Sequence, residues 1–517
     1  MAKKKNRGAR LVSLLLVLVL LIAAYVGYDI YEGKQADKKA EATEEEEAID
    51  VLSVDADQIQ SIYYKNEKAE LTLIKNSEDV WSNESNQDVP LNSSYTSKMA
   101  SVVESITATK VVSETASDLS EFGLDAPTLK VTITKMDGSK CSILVGDESP
   151  LGDGYYACID GESVVYLIAS SFVSAYDYSQ VALTEVAEAP KITAENITHL
   201  LVEDTENGAL EITYEENNVY DTSDSGLAPY VLNQGYDEPM SGDSNNISTY
   251  LGNFTSLSYD QCVAYNSDDL AQYGLDAPKA TILIEYYEEV ETDSDSSSTD
   301  TTTTEDTTTD DTTEDSASEQ AQTVRNDYSY TLQIGALDEE QSMYYVKEAD
   351  SNNVYTMSKS TVDAMLTYQR FDLANKYAQL INVASITEVQ VTYDGETHSL
   401  SVNHTTTTNE DGKEENTDVF YLDGTEYDES SARTLYQSII GPIYDAEIPE
   451  GYSDKDQPIV ATFVFLRTTE SGKENVTAEY REYDDSFYTV TVNGMEQFLV
   501  DKRSVKQIIT DLTAALN

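Results

Sequence analysis

Residues 122–127 read Phe-Gly-Leu-Asp-Ala-Pro, and residues 273–278 read Tyr-Gly-Leu-Asp-Ala-Pro. We call this stretch the signature. Each copy lies inside a longer stretch that also matches the other, so the chain repeats one structural unit. The signature positions that the two copies share, and that we single out, are Gly123, Leu124, Asp125, Pro127, Gly274, Leu275, Asp276 and Pro278. The repeat therefore predicts a fold built from tandem modules.

Three copies of the module follow one another, at residues 49–190, at 191–380 and, in diverged form, at 381–517. Each copy begins with alternating apolar residues around a short turn, such as Asn207-Gly208 or Asp394-Gly395, which is the pattern of a β-hairpin. Apolar residues three and four positions apart then predict an amphipathic helix. Two further hairpins and a short helix complete the copy. We predict an α+β fold in which antiparallel hairpins carry amphipathic helices on one face.

The second copy contains a tract of Thr, Ser, Asp and Glu between two predicted strands, where the first copy has a short turn. We predict that about residues 290–324 form a disordered loop insertion, because this composition cannot build a core. The chain has a formal net charge of −63, of which residues 291–320 contribute only eleven acidic groups. The acidity is therefore spread over the chain. Such a surface repels phosphate backbones, which argues against nucleic acid as a partner.

The N-terminus predicts a membrane anchor. Residues 1–10 are basic, and residues 11–28 carry no charge, which is about the length that a bilayer requires. We assign residues 1–10 to a cytoplasmic tail, 11–31 to a single transmembrane helix and 32–48 to a charged tether. The positive-inside bias places the rest of the chain outside the cytoplasm. A cleaved signal peptide is the alternative, although a small-residue cleavage site is hard to find.

The region around the first signature copy resembles a known family. After the signature come a Val-Thr-Ile-Thr strand, a Lys-Met-Asp-Gly turn, and the segments Leu-Val-Gly-Asp (144–147), Gly-Asp-Gly-Tyr-Tyr (152–156) and Val-Tyr-Leu (165–167). This run looks like the bacterial envelope proteins grouped as domain of unknown function 4340. The resemblance covers residues 49–380, whereas Gly-Tyr-Ser-Asp at 451–454 replaces the signature in the third copy. It implies one N-terminal anchor and an association with ABC-type transport systems of the gliding-motility kind, and it implies no chemistry.

The sequence offers little that common enzymes need. The three histidines, His199, His398 and His404, lie outside any motif of a serine hydrolase, zinc protease or phosphate-binding loop. Asp125 and Asp276 are the acids common to both signature copies. An Asp before Ala-Pro is expected to hold a turn by accepting local backbone hydrogen bonds, and this interpretation is favoured over catalysis. We predict a protein that is not an enzyme and that uses no cofactor and no metal.

The sequence leaves two interpretations open for each of three features, namely an acidic loop, a pair of cysteines and the many tyrosines. The acids in residues 146–148 and 152–154 lie on a loop without the spacing of an EF-hand, so a solvated loop is favoured over a calcium site. Cys141 and Cys158 lie on neighbouring predicted strands, where they form either a disulfide or two buried thiols. The 37 tyrosines either alternate in half-buried strands or stack on sugars.

The anchor, the tether and the repeated module together predict a membrane-anchored, extracytoplasmic, non-enzymatic scaffold. Its partner is expected to be a protein of the bacterial cell envelope, with ABC transporter subunits as the candidates. The alternative is a cell-wall or polysaccharide-binding surface protein, which the tyrosines and the exterior location favour. An envelope enzyme that acts through carboxylates is a third hypothesis, with Asp125 and Asp276 as its candidates.

Overall fold

In a computed structural model of the protein, the described residues are 48–517 apart from 77–78, 224–227, 235, 237, 293–321, 409–413, 450, 454–455 and 468–474. The predicted tail, the anchor, the tether up to residue 47 and most of the predicted insertion lie outside the described residues. None of the helices in the described part of the chain is long and apolar enough to cross a membrane.

The described residues form three antiparallel sheets of nine strands each and few helices, so the fold is β-rich. The first sheet contains β1 (Ile49–Ser53), β2 (Ile59–Lys65), β3 (Glu70–Lys75), β4 (Trp81–Asn83), β5 (Ser105–Ser113), β6 (Leu129–Lys135), β7 (Lys140–Glu148), β8 (Tyr155–Ile159) and β9 (Val165–Ile168). The second contains β10 (Ile197–Asp204), β11 (Gly208–Tyr214), β12 (Tyr230–Gln234), β13 (Met240–Ser241), β14 (Cys262–Ala264), β15 (Ala280–Thr292), β16 (Gln322–Asp338), β17 (Met343–Glu348) and β18 (Val354–Ser358). The third contains β19 (Ile386–Tyr393), β20 (Glu396–Thr408), β21 (Glu414–Leu422), β22 (Thr425–Tyr427), β23 (Ala446–Glu447), β24 (Ile459–Arg467), β25 (Val476–Glu482), β26 (Phe487–Val492) and β27 (Met495–Asp501).

The three sheets share one strand order. It reads β5-β9-β8-β7-β6-β2-β3-β4 in the first sheet, β14-β18-β17-β16-β15-β10-β11-β12 in the second and β23-β27-β26-β25-β24-β19-β20-β21 in the third. The ninth strand differs, because β1 lies beside β5 whereas β13 and β22 lie at the opposite edge of their sheets. The repeat seen in the sequence is thus a repeat of topology, and it includes the third sheet, where the signature is missing.

The hairpin of β15 and β16 is longer than the sequence indicates. Its pairing continues into the predicted insertion, as far as Thr292 and Gln322, with Val290 opposite Val324. The ends of the acidic stretch at 290–324 are therefore paired strand, while residues 293–321 lie outside the described part.

Eight α-helices accompany the sheets in the described residues: α1 (Ser93–Glu104), α2 (Ser170–Ala175), α3 (Gln180–Leu183), α4 (Ser244–Leu251), α5 (Lys359–Leu366), α6 (Arg370–Leu373), α7 (Glu429–Ile440) and α8 (Lys502–Leu516). In the first sheet, Met99 and Val103 of α1 and Phe172 of α2 share one apolar cluster with Ile62 and Ile133 of the strands. The helices therefore bury their apolar side chains against one face of this sheet.

Capping side chains define the starts of the helices α1, α4 and α7. Their N-caps are Asn92, Asp243 and Asp428, whose side chains accept hydrogen bonds from backbone N–H groups of the first turn. Asn and Asp are among the residues preferred at this position, because the side-chain oxygen satisfies a backbone N–H that has no partner within the helix.

The described residues divide into two compact units, with the boundary between Glu185 and Val186. The first unit contains the first sheet, and the second unit contains the other two. Within the second unit, residues 374–381 form a junction between the two sheets. One β-bridge joins Ala374 to Gly242, and another joins Tyr377 to Ile443.

Gln379 is the centre of this junction. Its side chain is fully buried; its Nε2 donates to the Ile439 carbonyl, and its Oε1 accepts a hydrogen bond of 3.0 Å from the Tyr480 hydroxyl. The Tyr436 hydroxyl donates to the Ile381 carbonyl over 2.8 Å. Buried polar groups are stable only when they are hydrogen-bonded, so these contacts fix residues 379–381 against α7 and β25.

We expect Gln379→Ala to destabilise the second unit by about 2–4 kcal/mol, because it leaves the Ile439 carbonyl and the Tyr480 hydroxyl buried without a partner. Urea unfolding followed by circular dichroism measures the change. The exposed Gln272→Ala in the same unit is the control and should shift stability by less than about 0.5 kcal/mol. Fluorescence of Trp81, the one tryptophan of the chain, reports the first unit and should keep its transition. Equal effects of the two substitutions would contradict the role given to Gln379.

Many tyrosines are core residues. Tyr64, Tyr176 and Tyr480 are fully buried, and the Tyr176 hydroxyl donates to the Met99 carbonyl over 2.7 Å. Burial raises the pKa of all three phenols above the ordinary value, because the phenolate loses its hydration in the interior.

This burial gives stability a defined pH dependence. A phenol whose folded-state pKa is raised contributes fully below the unfolded-state pKa of about 10, and the contribution is lost as pH rises above that value. We expect the melting temperature to fall steeply above about pH 10. The phenolate absorbance of the buried tyrosines should then rise in one cooperative step with the loss of circular dichroism, in addition to the gradual titration of exposed tyrosines such as Tyr214 and Tyr377. A gradual titration of all tyrosines while the circular dichroism stays native would contradict the prediction.

Candidate functional site

The strand order forces a long connection across each sheet. β5 and β6 follow one another in the chain, yet β9, β8 and β7 lie between them. The connection carries the signature and crosses on the face opposite to α1. Leu124 forms a second apolar cluster there with Cys158 and Val165. The signature therefore covers part of the sheet face opposite to the helices.

Both copies of the signature form the same turn. A short 3-10 helix at Ser120–Phe122 is followed by Gly123 with φ of +68°, and one at Ala271–Tyr273 is followed by Gly274 with φ of +67°. The backbone N–H of Leu124 donates to the Leu119 carbonyl over 3.1 Å, and that of Leu275 donates to the Leu270 carbonyl over 3.0 Å. Positive φ favours glycine, which explains why both copies of the signature carry Gly at this position.

A second glycine in each sheet makes the turn possible. A Cβ on Gly146 would lie 2.1 Å from the Phe122 carbonyl oxygen, and a Cβ on Gly335 would lie 2.2 Å from that of Tyr273. Both glycines lie where the pairing with the next strand is irregular, between Val145 and Glu148 in β7 and between Ile334 and Leu337 in β16. The signature turn packs directly on these bulges, with backbone against backbone.

Sequence reasoning missed Gly146 and Gly335 as partners of the signature. Gly146 belongs to the stretch that carried the family resemblance, but the acidic insertion places Gly335 much further from its own signature than Gly146 is from the first. The pair is visible in the sequence only after the insertion is removed. In the third sheet, β25 pairs with β26 without such an irregularity, and the signature is missing there as well.

The signature aspartates do not play the predicted role. Asp125 and Asp276 are exposed, and neither carboxylate accepts a hydrogen bond from any described residue, so the expected local backbone bonds are not formed. The leucines that precede them are buried, with 2% and 3% of the surface of Leu124 and Leu275 exposed. Pro127 and Pro278 lead into β6 and β15. Leu and Gly therefore hold the signature in place, and the aspartates face solvent.

An exposed apolar tip lies beside the first signature. The loop from Ser149 to Gly154 follows the β7 bulge and is closed by two backbone hydrogen bonds, from the Ser149 N–H to the Gly154 carbonyl (2.9 Å) and from the Gly152 N–H to the Ser149 carbonyl (2.8 Å). Leu151 at its tip is 81% exposed. A Cβ on Gly154 would lie 2.3 Å from the Ile168 carbonyl oxygen, so the base of the loop packs tightly on β9.

Acidic residues flank this tip along the chain. Asp147, Glu148 and Asp153 are exposed, and a Cβ on Gly123 would lie 2.6 Å from Oδ1 of Asp147. The ammonium of Lys110 lies 3.8 Å from the Asp153 carboxylate. These acids are the ones considered for calcium, and no group of three or more His, Cys, Asp or Glu side chains within the described residues is arranged to hold a metal ion.

The histidines pair with carboxylates. His199 lies between Glu285 and Glu211, with 2.9 Å from Nδ1 to the first and from Nε2 to the second. His398 contacts Asp423, and His404 contacts Asp418, each over 2.8 Å. These contacts place the three histidines at separate positions on the second and third sheets and do not bring them together.

The cysteines are free thiols. Leu144 pairs with Cys158 across β7 and β8, and Cys141 lies three residues before Leu144, so the two cysteines point to opposite faces of the sheet. A disulfide between them is excluded by this geometry. Burial raises the pKa of each thiol, that of Cys262 to about 11, which keeps the thiols protonated at neutral pH.

A family model described as Domain of unknown function (DUF4340) matches residues 81–237 and 231–437. No curated protein and no solved structure matches the chain. The matched ranges include both signature copies, both bulge glycines and the loop that carries Leu151.

We expect Gly335→Ala to destabilise the second unit by about 1–3 kcal/mol, because the new methyl group cannot avoid the Tyr273 carbonyl without moving the signature turn. Thermal unfolding followed by circular dichroism measures the effect. Gly252→Ala is the matched control: no atom lies within 4 Å of its Cβ position, its φ is −56°, and we expect unchanged or slightly higher stability. The packing argument fails if both variants melt like the parent protein.

Proposed function

Because the chain belongs to the family described as Domain of unknown function (DUF4340), we propose that it is a membrane-anchored, extracytoplasmic, non-enzymatic scaffold that binds a protein of the cell envelope. The expected partners are subunits of an ABC-type transport system, since the family resemblance implies that association. The anchor at residues 11–31 is part of this proposal and rests on the uncharged run and the basic residues before it.

The observation that carries the proposal is the exposure of Leu151. A large apolar side chain at the tip of a loop with a tightly packed base is preorganised for insertion into a pocket of another protein, since little entropy is lost on binding. Full burial of one leucine contributes about 1.5–3 kcal/mol. The signature supports this loop indirectly, because its turn packs on the bulge from which the loop emerges.

Charge defines what kind of partner fits. The carboxylates of Asp147, Glu148 and Asp153 flank Leu151, and the whole chain carries −63. A matching surface is therefore an apolar pocket with a basic rim. Such charge complementarity raises the rate of association and fixes orientation more than it adds affinity.

The proposal includes an assignment of the fold. We interpret each sheet with its helices as one α+β module, because the three sheets share a strand order and because α1 and α2 bury their apolar side chains on one face of the first. The helix face and the signature-covered face then differ in every module that has a signature. A repeated module with two chemically distinct faces suits a scaffold that contacts more than one surface.

We expect a photoreactive amino acid at position 151 of the full-length protein to crosslink an envelope protein in native membranes. Mass spectrometry of the captured material should identify transporter subunits. Leu151→Asp should reduce recovery of the same partner roughly tenfold or more, because it removes the leucine and adds a charge of the same sign as its neighbours.

Val219 provides the matched control, since it is 74% exposed and lies in the second unit. A photoreactive residue there should not capture the same partner, and Val219→Asp should leave recovery unchanged. Recovery of the protein alone from crosslinked membranes, or identical capture from both positions, would contradict the proposal.

A further inference from the structure

The open face of the first sheet is only partly covered. The signature segment lies over β7, β8 and β9, where Leu124 contacts the cluster with Cys158 and Val165. Within the described part of the chain, the signature segment does not extend over β2, β3 and β6 on the same face. A groove of about 500 Å³ lies there and extends to the start of β7.

Four of the nine residues that line the groove carry small hydroxyl side chains. Ser61, Thr72 and Thr134 contribute hydroxyls, and Thr132 adds another that is paired with Ser142 at 2.8 Å. Alternation along the strands places them opposite the buried residues of β2, β3 and β6. Tyr63 adds a half-buried ring to the same floor.

Several of these polar groups have no partner within the described residues. The groups in question are the hydroxyls of Ser61, Thr72 and Thr134, the amide of Gln60, the carboxylate of Glu84 and the ammonium of Lys140. Each can therefore bind a ligand without first breaking a bond inside the protein. The groove contributes one negative and one positive side chain, although the chain as a whole carries −63.

The corresponding positions of the second sheet are different. Corresponding strand positions carry His199 in β10, Glu211 in β11 and Glu285 in β15, and His199 contacts each of the two glutamates over 2.9 Å. Gln234 also donates to Glu211 over 3.1 Å. The polar side chains there are paired within the sheet, whereas the six groups named above have no partner among the described residues of the first sheet. The same face therefore offers unpaired donors and acceptors in the first sheet and paired ones in the second.

We infer that the open face of β2, β3 and β6 binds an oligosaccharide without net charge. Hydroxyl and amide groups spaced along neighbouring strands match the donors and acceptors of a sugar chain, and the Tyr63 ring offers an apolar face on which a pyranose ring packs. An anionic polymer is disfavoured by the negative charge of the chain. The inference is independent of the protein partner, because Leu151 is not among the groove residues.

The test is isothermal titration of the full-length protein in a detergent without a sugar headgroup. Tetra-N-acetylchitotetraose and cellotetraose serve as uncharged probes, and a tetramer of galacturonic acid serves as the anionic probe. We expect at least one uncharged probe to bind. The double substitution Thr72→Val and Thr134→Val should weaken that binding roughly tenfold or more, because it removes two hydrogen bonds while keeping side-chain shape.

Thr462→Val is the matched control, because Thr462 lies on the open face of the third sheet between the buried Ala461 and Phe463. It should not change the affinity, and Leu151→Ser should not change it either. Circular dichroism melting checks that all variants are folded. Lack of binding of both uncharged probes, tighter binding of the anionic probe, or equal weakening by Thr462→Val would overturn the inference. So would protection of the groove in hydrogen exchange by self-association, since a second copy of the chain would then be its occupant.

Discussion

The crossing of the β5–β6 connection over three strands determines much of the rest of this structure. An antiparallel sheet built from consecutive hairpins needs no such crossing, but here the strand order separates two consecutive strands. The connection must therefore lie on one face, and the helices occupy the other. Two cores result in the first sheet, a large one under the helices and a small one under the signature. This arrangement requires glycine, because the backbone of the turn approaches the bulged strand too closely for a Cβ to fit between them.

Much of this fold was predictable from the sequence, because its main elements have strong local signals. The hairpins around Asn207-Gly208 and Asp394-Gly395 and the helix stripes follow rules of turn chemistry and periodicity. The strand order was not predictable, since pairing between distant strands leaves no local trace. The pairing of β15 with β16 inside the predicted insertion was also missed, because an acidic composition hides strand propensity.

The candidate site was also predictable from the sequence only in part. Gly123 and Gly274 were identified because the repeat made them conspicuous, and a positive φ follows from residue type. The role assigned to Asp125 and Asp276 was wrong, since it relied on local hydrogen bonds that the turn does not make. The exposure of Leu151 and the free hydroxyls around Thr72 depend on what the neighbouring strands leave uncovered. Tertiary packing determines which side chains stay exposed or unpaired, and a local sequence pattern does not specify that packing.

The junction at residues 374–381 limits how such a chain can gain or lose whole sheets during evolution. Its backbone bridges residues on both sides, and Gln379 is bonded to groups that belong to the third copy. Deletion of the third sheet would expose Gln379 and an apolar surface to water. The boundary at 185–186, in contrast, separates two compact units. Gain or loss of copies should therefore proceed more easily at the first boundary than at the second. Although the described residues contain three sheets of one strand order, the first sheet is then a piece that can be gained or lost by itself, whereas the other two are gained or lost together.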